Sequence, residues 1–417
     1  MKVHHRVISL RIDYNIKDRF DFGLLFPVIV LFCFGLAAIY SATYNNTIAH
    51  GNFQRQLIWG FAALVLFFIT YSLPIKAFKQ LAIPTYLLSI ILLIAVMLIG
   101  KKVSGARSWI AFGSIGFQPS EFAKIATILM MSKFLSRNNT NIESFKDLLI
   151  ALAIGALPVL LVLLEPDMGT SVVFLFMIIA LIFWKGISVF AMFVVLSPVF
   201  VAVSSLFGTY YFIASLIMVL VTLFIFKKNI FFSGSIFALN LASGFFAEYV
   251  YKVLSTHQQQ RIQAFIDPMS DPLGSGYNTI QAKVAIGSGG FFGKGFLSGN
   301  QTQLQFIPEQ WTDFVYCVIG EEFGFLGTIA MLGLFTYLFF RILKISSVKD
   351  EFLSLVSVGI LSVYFAHFII NIGMVVGIMP VIGLPLPFVS YGGSSLLVNL
   401  IMLGILANIY KTRKNYA

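Results

Sequence analysis

The chain consists of long apolar stretches that are separated by short polar segments. An apolar stretch of about 17–25 residues is long enough to cross a bilayer as a helix. Stretches of this kind predict twelve spans, at residues 23–42, 57–73, 82–99, 120–135, 147–164, 171–185, 187–207, 209–226, 229–250, 312–340, 352–376 and 391–410. The first stretch is too long for the core of a signal peptide, so we interpret it as a retained span.

This pattern predicts an all-α polytopic membrane protein with about 10–12 transmembrane helices. We expect a polar segment at 1–22, a single transmembrane domain at 23–410 and a short tail at 411–417. A large loop, at about 252–311, precedes the last three spans. With 59% hydrophobic and 11% charged residues, the composition excludes a soluble or disordered protein. Cys33 and Cys317 lie in apolar stretches and indicate no disulfide framework.

The net charge of +11 is interpreted here as a signal of membrane orientation. With the N-terminus placed in the cytoplasm, 19 of the 28 basic residues fall in cytoplasmic segments and nine on the outer side. Because cytoplasmic loops are enriched in Lys and Arg, this split predicts that both termini face the cytoplasm. The positive charge is thus explained by orientation, and no nucleic-acid partner is expected. Ionisable residues at the outer boundary are then candidates for function.

The first outer segment, 101–124, contains Arg107, Trp109, Glu121 and Lys124. Pro119 suits the first turn of a helix that enters the membrane, and residues three apart share one helical face. Glu121 and Lys124 therefore form either a buried ion pair, with Trp109 as an interfacial anchor, or part of a basic site. In the second case Arg107 and Lys124 would bind an anionic headgroup.

The second outer segment is rich in glycine at 287–295. It fails as a phosphate-binding Walker loop, because Ser288 stands where Gly is required and Gly295 where Ser or Thr is required. We expect a loop with tight turns, in which Lys294 can still contact a phosphate.

Four acidic residues follow within 14 positions: Glu309, Asp313, Glu321 and Glu322. One explanation is local: Thr312 would cap the next helix and Asp313 would complement its dipole. The other is a site, because clustered acids at a membrane boundary need a basic partner, a cation or a raised pKa. Glu321 and Glu322 lie two to three helical turns further along, so only Asp313 is expected near the surface.

The third outer segment, 377–395, is apolar but contains three prolines, so a straight helix cannot continue through it. Irregular backbone at this depth either lines a cavity or forms a re-entrant turn. The five histidines are scattered and show no spacing that is typical of a zinc site.

Six motifs in this order resemble the SEDS family of shape, elongation, division and sporulation proteins. They are Gly105-Ala106-Arg107-Ser108-Trp109, Gln118-Pro119-Ser120-Glu121, Asp271-Pro272-Leu273-Gly274-Ser275-Gly276-Tyr277, Ala285-Ile286-Gly287-Ser288-Gly289-Gly290, Pro308-Glu309 with Thr312-Asp313-Phe314, and Pro385-Leu386-Pro387 with Ser390-Tyr391-Gly392-Gly393-Ser394. The run Gly293-Lys294-Gly295-Phe296 with Thr302-Gln303-Leu304 is more similar to the rod-shape branch of the family than to the division branch.

The resemblance implies a peptidoglycan glycosyltransferase of the inner membrane. Such an enzyme polymerises the lipid-linked precursor lipid II on the outer face, together with a class B penicillin-binding transpeptidase and the elongation machinery. The resemblance also implies that Asp313 is the catalytic residue. Two features depart from the family. Trp311 stands where most relatives place His, and the chain has more than the ten spans that are typical, with the surplus falling within 187–250.

We therefore predict that Asp313 is the general base for attack of a sugar hydroxyl on the donor. Cationic groups, or a divalent cation, would stabilise the diphosphate that leaves. No organic cofactor is expected, and the metal requirement is left open. The predicted substrate-binding residues are Arg107, Trp109, Glu121, Lys124, Lys294, Glu309 and Ser390. A flippase for polyprenyl-linked sugars and a scaffold without catalytic activity are the alternatives.

Overall fold

The computed structural model describes residues 20–46, 49–103, 106–112, 115–226, 230–253 and 276–413, with residues 259, 263, 265–267, 269, 271, 272 and 274 between the last two ranges. Most of the N-terminal segment 1–22, the end of the tail and part of the predicted loop 252–311 lie outside the described residues. The helices, numbered in chain order, are α1 (Phe22–Tyr44), α2 (Asn52–Ser72), α3 (Ile75–Ile99), α4 (Pro119–Leu135), α5 (Phe145–Leu164), α6 (Met168–Trp184), α7 (Val189–Leu206), α8 (Thr209–Phe226), α9 (Ile230–Val253), α10 (Tyr277–Gly289), α11 (Asn300–Gln303), α12 (Val315–Ser346), α13 (Glu351–Val376) and α14 (Gly393–Thr412).

The prediction of a helical polytopic membrane protein is confirmed. In the described ranges, ten helices are long and apolar enough to cross a membrane. The other two predicted spans correspond to α4 and α6, which have 17 residues each. Each of the twelve apolar stretches therefore coincides with a helix, because residues that must satisfy their backbone groups without water form helices.

The centre of the bundle is formed by the last helices of the chain. Both α13 and α14 are largely buried, whereas α2 and α3 expose most of their apolar side chains. Around this centre, α13 packs against α6, α12 and α4, and α14 packs against α2. The exposed apolar faces are those that a bilayer would cover.

A small antiparallel sheet, which the sequence analysis missed, joins α3 to α4. Its strands are β1 (Lys101–Val103), β2 (Ala106–Phe112) and β3 (Ile115–Phe117), in that order. Ile110 pairs with Phe117, and Lys101 pairs with Trp109. We call the end of the bundle at which this sheet lies the sheet end. Two of the strands have only three residues, and the seven residues of β2 do not alternate between polar and apolar, which is why the sheet was not predicted.

Three helices, α7, α8 and α9, form a unit with its own small core. Its buried apolar residues, separate from the main core, are Val201, Phe212, Val219, Leu223 and Ile236. Asn240 of α9 donates a hydrogen bond to Ser197 of α7 over 3.1 Å. We call this unit the three-helix unit; it occupies the region where the sequence analysis found a surplus of spans.

Candidate functional site

The apolar segment with three prolines is irregular, as predicted, and no helix runs between the end of α13 and the start of α14. It is pressed against α1 so closely that a Cβ atom on Gly35 would lie 2.3 Å from the carbonyl oxygen of Val389. Gln56 of α2 clamps the end of the segment, because its amide nitrogen donates to Ser390 O over 3.2 Å and its oxygen accepts from Gly392 N over 3.2 Å. The segment is thus a fixed wall.

The residues before α12 form a compact turn at the same end. Glu309 is exposed and has a φ of +48°, and its carbonyl oxygen accepts hydrogen bonds from the backbone nitrogen and the hydroxyl of Thr312. The helix itself begins at Val315, and its cap is Phe314, without a side-chain bond. The alternative in which Thr312 caps the helix is therefore wrong: its hydroxyl is used within the turn.

Asp313 is held in this turn by its backbone and lies beside the wall. Asn371 of α13 donates one amide hydrogen to Asp313 O over 2.8 Å and the other to Leu384 O over 2.7 Å. The Asp313 side chain is half-buried, and a Cβ atom on Gly383 would lie 3.0 Å from its Oδ2 atom. The Asp313 carboxylate thus lies near the surface. It approaches the backbone of Gly383, where a larger residue would crowd it.

The turn and the wall are also joined directly. The buried Ser390 hydroxyl donates to Thr312 O over 2.6 Å and accepts from Leu386 N over 2.8 Å. Tyr391 N donates to Trp311 O over 2.9 Å. The predicted site residues Asp313 and Ser390 are therefore brought together, although Ser390 uses its hydroxyl to fix backbone.

Glu121 and Lys124 form the buried ion pair that was one of the two alternatives. The Lys124 Nζ atom is 2.8 Å from Glu121 Oε1 and 2.9 Å from His367 Nε2, and the two side chains of the pair are only 4% and 1% exposed. His367 Nδ1 in turn contacts Pro385 O at 3.0 Å. Lys124 therefore connects α4 to α13 and, through His367, to the wall, and it does not reach the surface.

Arg107 and Trp109 lie on β2 of the sheet. The Arg107 side chain is exposed, and its backbone nitrogen donates to Glu165 O over 3.2 Å. The Trp109 ring is half-buried over Gly116, where a Cβ atom would lie 2.9 Å from Trp109 Cε3. Of the three cations predicted to meet an anionic headgroup, Arg107 is thus the one with an exposed side chain.

The loop expected at 287–295 is partly wrong, because residues 287–289 end helix α10. From Gly290 onward the chain makes the expected tight turns, with positive φ angles at Gly290, Gly293 and Gly295. Its Lys294 forms an ion pair with Glu321 at 2.9 Å, and Lys294 is about one quarter exposed. The acidic cluster is therefore divided. Glu321 has a basic partner, the buried Glu322 accepts a hydrogen bond from the Ser41 hydroxyl, and Glu309 and Asp313 remain near the surface.

A buried carboxyl group lies at the sheet end, in the turn between α5 and α6. Glu165 is 1% exposed, and neither of its carboxyl oxygens has a hydrogen-bond partner among the described residues. Burial, together with the nearby Asp167, raises the pKa of Glu165 to about 8. Asp167 has partners instead, since it accepts hydrogen bonds from Gln118 and from Thr170.

Three residues of the site were missed: Gln56, His367 and Asn371. His367 and Asn371 are polar residues within the apolar helix α13, whereas Gln56 follows Gln54 and Arg55 in the polar start of α2. No spacing links any of the three to the motifs. An amide or imidazole at membrane depth was the available signal. Among the described residues there is no group of three or more His, Cys, Asp or Glu side chains that could hold a metal ion. We therefore derive no step through a cation.

Comparison with known proteins gives matches over nearly the whole chain. The family model FtsW/RodA/SpoVE, described as a cell cycle protein, matches residues 22–215 and 189–415. The two ranges overlap within α7 and the start of α8, in the region of surplus spans. The peptidoglycan glycosyltransferase MrdB of Escherichia coli K12 is 34% identical over 399 residues, which cover 95% of this chain and 95% of MrdB.

Other relatives and solved structures agree. The peptidoglycan glycosyltransferase RodA of Treponema pallidum is 33% identical over 423 residues and covers 94% of this chain and 97% of its own. A solved structure described as structural coordination of polymerization and crosslinking by a peptidoglycan synthase complex contains a chain with TM-score 0.72 and 27% identity, covering 94% of this chain and 98% of its own. The rod shape determining protein RodA of Thermus thermophilus has TM-score 0.63 and 26% identity, covering 94% and 97%.

Proposed function

The chain belongs to the FtsW/RodA/SpoVE family of cell cycle proteins, and from this premise we propose that it polymerises lipid II into glycan strands with Asp313 as the general base. It is a peptidoglycan glycosyltransferase and a multi-pass protein of the inner membrane. The observation that supports the base assignment is the placement of Asp313. Its carboxylate is near the surface, while the surrounding backbone is fixed by Asn371, Ser390 and Tyr391.

In the proposed reaction, the 4-hydroxyl of the acceptor sugar attacks the anomeric carbon of the donor. A carbon–oxygen bond forms there while the bond to the lipid diphosphate breaks, and the configuration at that carbon is inverted. Asp313 takes the proton of the hydroxyl, and the diphosphate leaves with the bonding electrons. A fixed base is effective because the reacting atoms need not be reoriented for each turnover.

The diphosphate that leaves needs positive charge nearby. Arg107 is exposed on the sheet, so we assign it the first contact with the headgroup. Lys294 is one quarter exposed and shares its charge with Glu321, and Lys124 is buried against Glu121 and His367. We assign these two lysines a supporting electrostatic role. Trp109 and Glu309 would border the sugar path.

The cellular setting is also part of the proposal. The excess of basic residues in alternate loops supports cytoplasmic termini and an active site on the outer face. The similarity to a chain of a peptidoglycan synthase complex supports a class B penicillin-binding transpeptidase as partner. The run Gly293-Lys294-Gly295-Phe296 with Thr302-Gln303-Leu304 supports a role in elongation and shape. Proteins named MrdB, RodA and FtsW are all similar to this chain, at 33–34% identity.

Polymerisation of purified lipid II in proteoliposomes tests the base assignment. We expect Asp313→Asn to lower the rate of strand synthesis by roughly 10²–10⁴, the usual contribution of a general base. The matched control is Asp147→Asn: this half-buried aspartate lies at the opposite end of the bundle, where it accepts a hydrogen bond from Asn141 N. Undiminished synthesis by a folded Asp313→Asn protein would remove Asp313 from catalysis. Transport of lipid II without polymer would favour the flippase.

A further inference from the structure

The buried carboxylate of Glu321 accepts hydrogen bonds from Gln301 and Thr302 in addition to its ion pair with Lys294. It is 0% exposed, and its Oε1 atom is 2.9 Å from Lys294 Nζ and accepts from Gln301 N over 2.9 Å. Its Oε2 atom accepts from the backbone nitrogen of Thr302 over 2.9 Å and from the Thr302 hydroxyl over 2.8 Å. Both oxygens are therefore engaged with the loop that precedes the Asp313 turn.

The same loop is tied to α12 through its backbone. Lys294 N donates to Glu321 O over 3.0 Å, and Phe325 N donates to Gly290 O over 2.9 Å. The contact requires Gly324, which interrupts α12 with a φ of +64° and approaches Gly293 so closely that a Cβ atom would lie 2.2 Å from Gly293 N. The glycines of the predicted loop thus serve to dock the loop on a kinked helix.

A second contact leads from Thr302 to the turn of the candidate base. The amide of Gln310 donates to Thr302 O over 2.8 Å and to Ala42 O over 3.2 Å. Gln310 is buried and precedes Asp313 by three residues. The path from Glu321 to Thr302 to Gln310 is therefore continuous, and it reaches the turn through contacts other than those of Asn371 and Ser390.

We propose that Glu321 is a positioning residue, whose carboxylate fixes Thr302 and, through Gln310, the turn that presents Asp313. The proposal rests on the proposed function for its readout. A carboxylate is suited to this task because hydrogen bonds to an ionised acceptor are shorter and stronger than neutral ones. Lys294 balances the charge of this buried carboxylate, with its Nζ atom 2.9 Å from Glu321 Oε1.

The test measures kcat and KM for strand synthesis from purified lipid II by the full chain in proteoliposomes. Glu321→Gln keeps the shape but loses the charge, and we expect kcat to fall by about 10²-fold, the effect of a misplacement near 1 Å. KM should stay within about twofold, because Arg107, which is assigned the first contact with the headgroup, lies on the sheet and does not contact Glu321. Thr302→Val should lower kcat by about tenfold, and Thr302→Ser, which retains the hydroxyl, should restore it.

Two controls separate positioning from general stability. Glu351→Gln replaces a carboxylate at the opposite end of the bundle, and Thr127→Val removes a fully buried hydroxyl that bonds only within its own helix, to Ala123 O. Both should leave kcat unchanged. Thr302→Val provides the milder variant if Glu321→Gln does not fold.

The outcomes distinguish the two proposals. Wild-type kcat in Thr302→Val, or equal loss in Thr302→Val and Thr302→Ser, would overturn the positioning role while leaving Asp313 as the base. A rise in KM with unchanged kcat would also overturn it. If Asp313→Asn were fully active while Glu321→Gln lost kcat, the base assignment would fail and the Glu321 carboxylate would position another group of the same turn.

Discussion

Around Asp313, buried contacts are hydrogen bonds between distant parts of the chain, whereas in the three-helix unit they are mainly contacts between apolar side chains of neighbouring helices. Gln56 and Ser390, which are bonded, are 334 residues apart. Asn371 and Asp313 are 58 apart. In the three-helix unit, the core consists of Val201, Phe212, Val219, Leu223 and Ile236, and three side-chain hydrogen bonds among its described residues join α7 to α9.

The difference shows where the molecule requires exact placement of atoms. Hydrogen bonds are directional and expensive to leave unmade when buried, so they fix a backbone in one arrangement. Apolar contacts are non-directional and tolerate small shifts. A wall and a turn that must hold a base need the first kind of contact, while helices that only have to stay together in a bilayer can use the second.

For this comparison of the two regions, the largest combined effect on stability and activity is expected where a side chain would enter the contact between α1 and the wall. Gly35→Ala places a Cβ atom 2.3 Å from Val389 O, which is backbone and cannot rotate away. We expect a loss of about 1–3 kcal/mol in stability from overpacking. Strand synthesis should also fall severalfold, because the wall must shift. Thermal unfolding and the lipid II assay measure the two effects, and a fully active, equally stable variant would show that the wall is not fixed.

An intermediate effect is expected at Glu165, and it should depend on pH. The folded-state pKa of about 8 lies above the ordinary value of 4.5, so the unfolded chain loses its proton first as pH rises. The pH-dependent cost of the buried carboxyl is therefore absent below about pH 4.5, grows progressively between 4.5 and 8, and is complete above 8. Glu165→Gln should raise the melting temperature at pH 9 and leave it unchanged at pH 4. An equal shift at both values would contradict this assignment.

The smallest effect is expected in the three-helix unit. Gly234 of α9 has no atom within 4 Å of the position of a Cβ atom. Gly234→Ala should stabilise the helix by about 0.5–1 kcal/mol, because alanine loses less backbone entropy than glycine. Activity should not change. Compared with Gly35→Ala in the same unfolding and activity assays, this variant tests the contrast directly, and a loss of activity would mean that the unit is coupled to the site.

The apolar pattern was sufficient to predict the helices, since a chain in a bilayer must satisfy its backbone groups internally. The irregular segment was also predictable, because three prolines exclude a straight helix. The sheet at 101–117 was not, since its strands are short. For the site, the sequence indicated Asp313 as a candidate, and the family resemblance selected it.

The sequence by itself determined where the apolar helices lie along the chain. It also determined the irregular wall between the last two helices, and the acidic and basic residues available at one boundary. Spacing along the chain already offered the pair of Glu121 and Lys124. Only the tertiary structure decided that this pair is buried against His367, that Lys294 pairs with Glu321, and that Asp313 lies beside Asn371 and Gly383. The physical reason is that apolar length and proline act locally along the chain. Pairing depends on directional contacts between residues that are tens to hundreds of positions apart, which spacing does not encode.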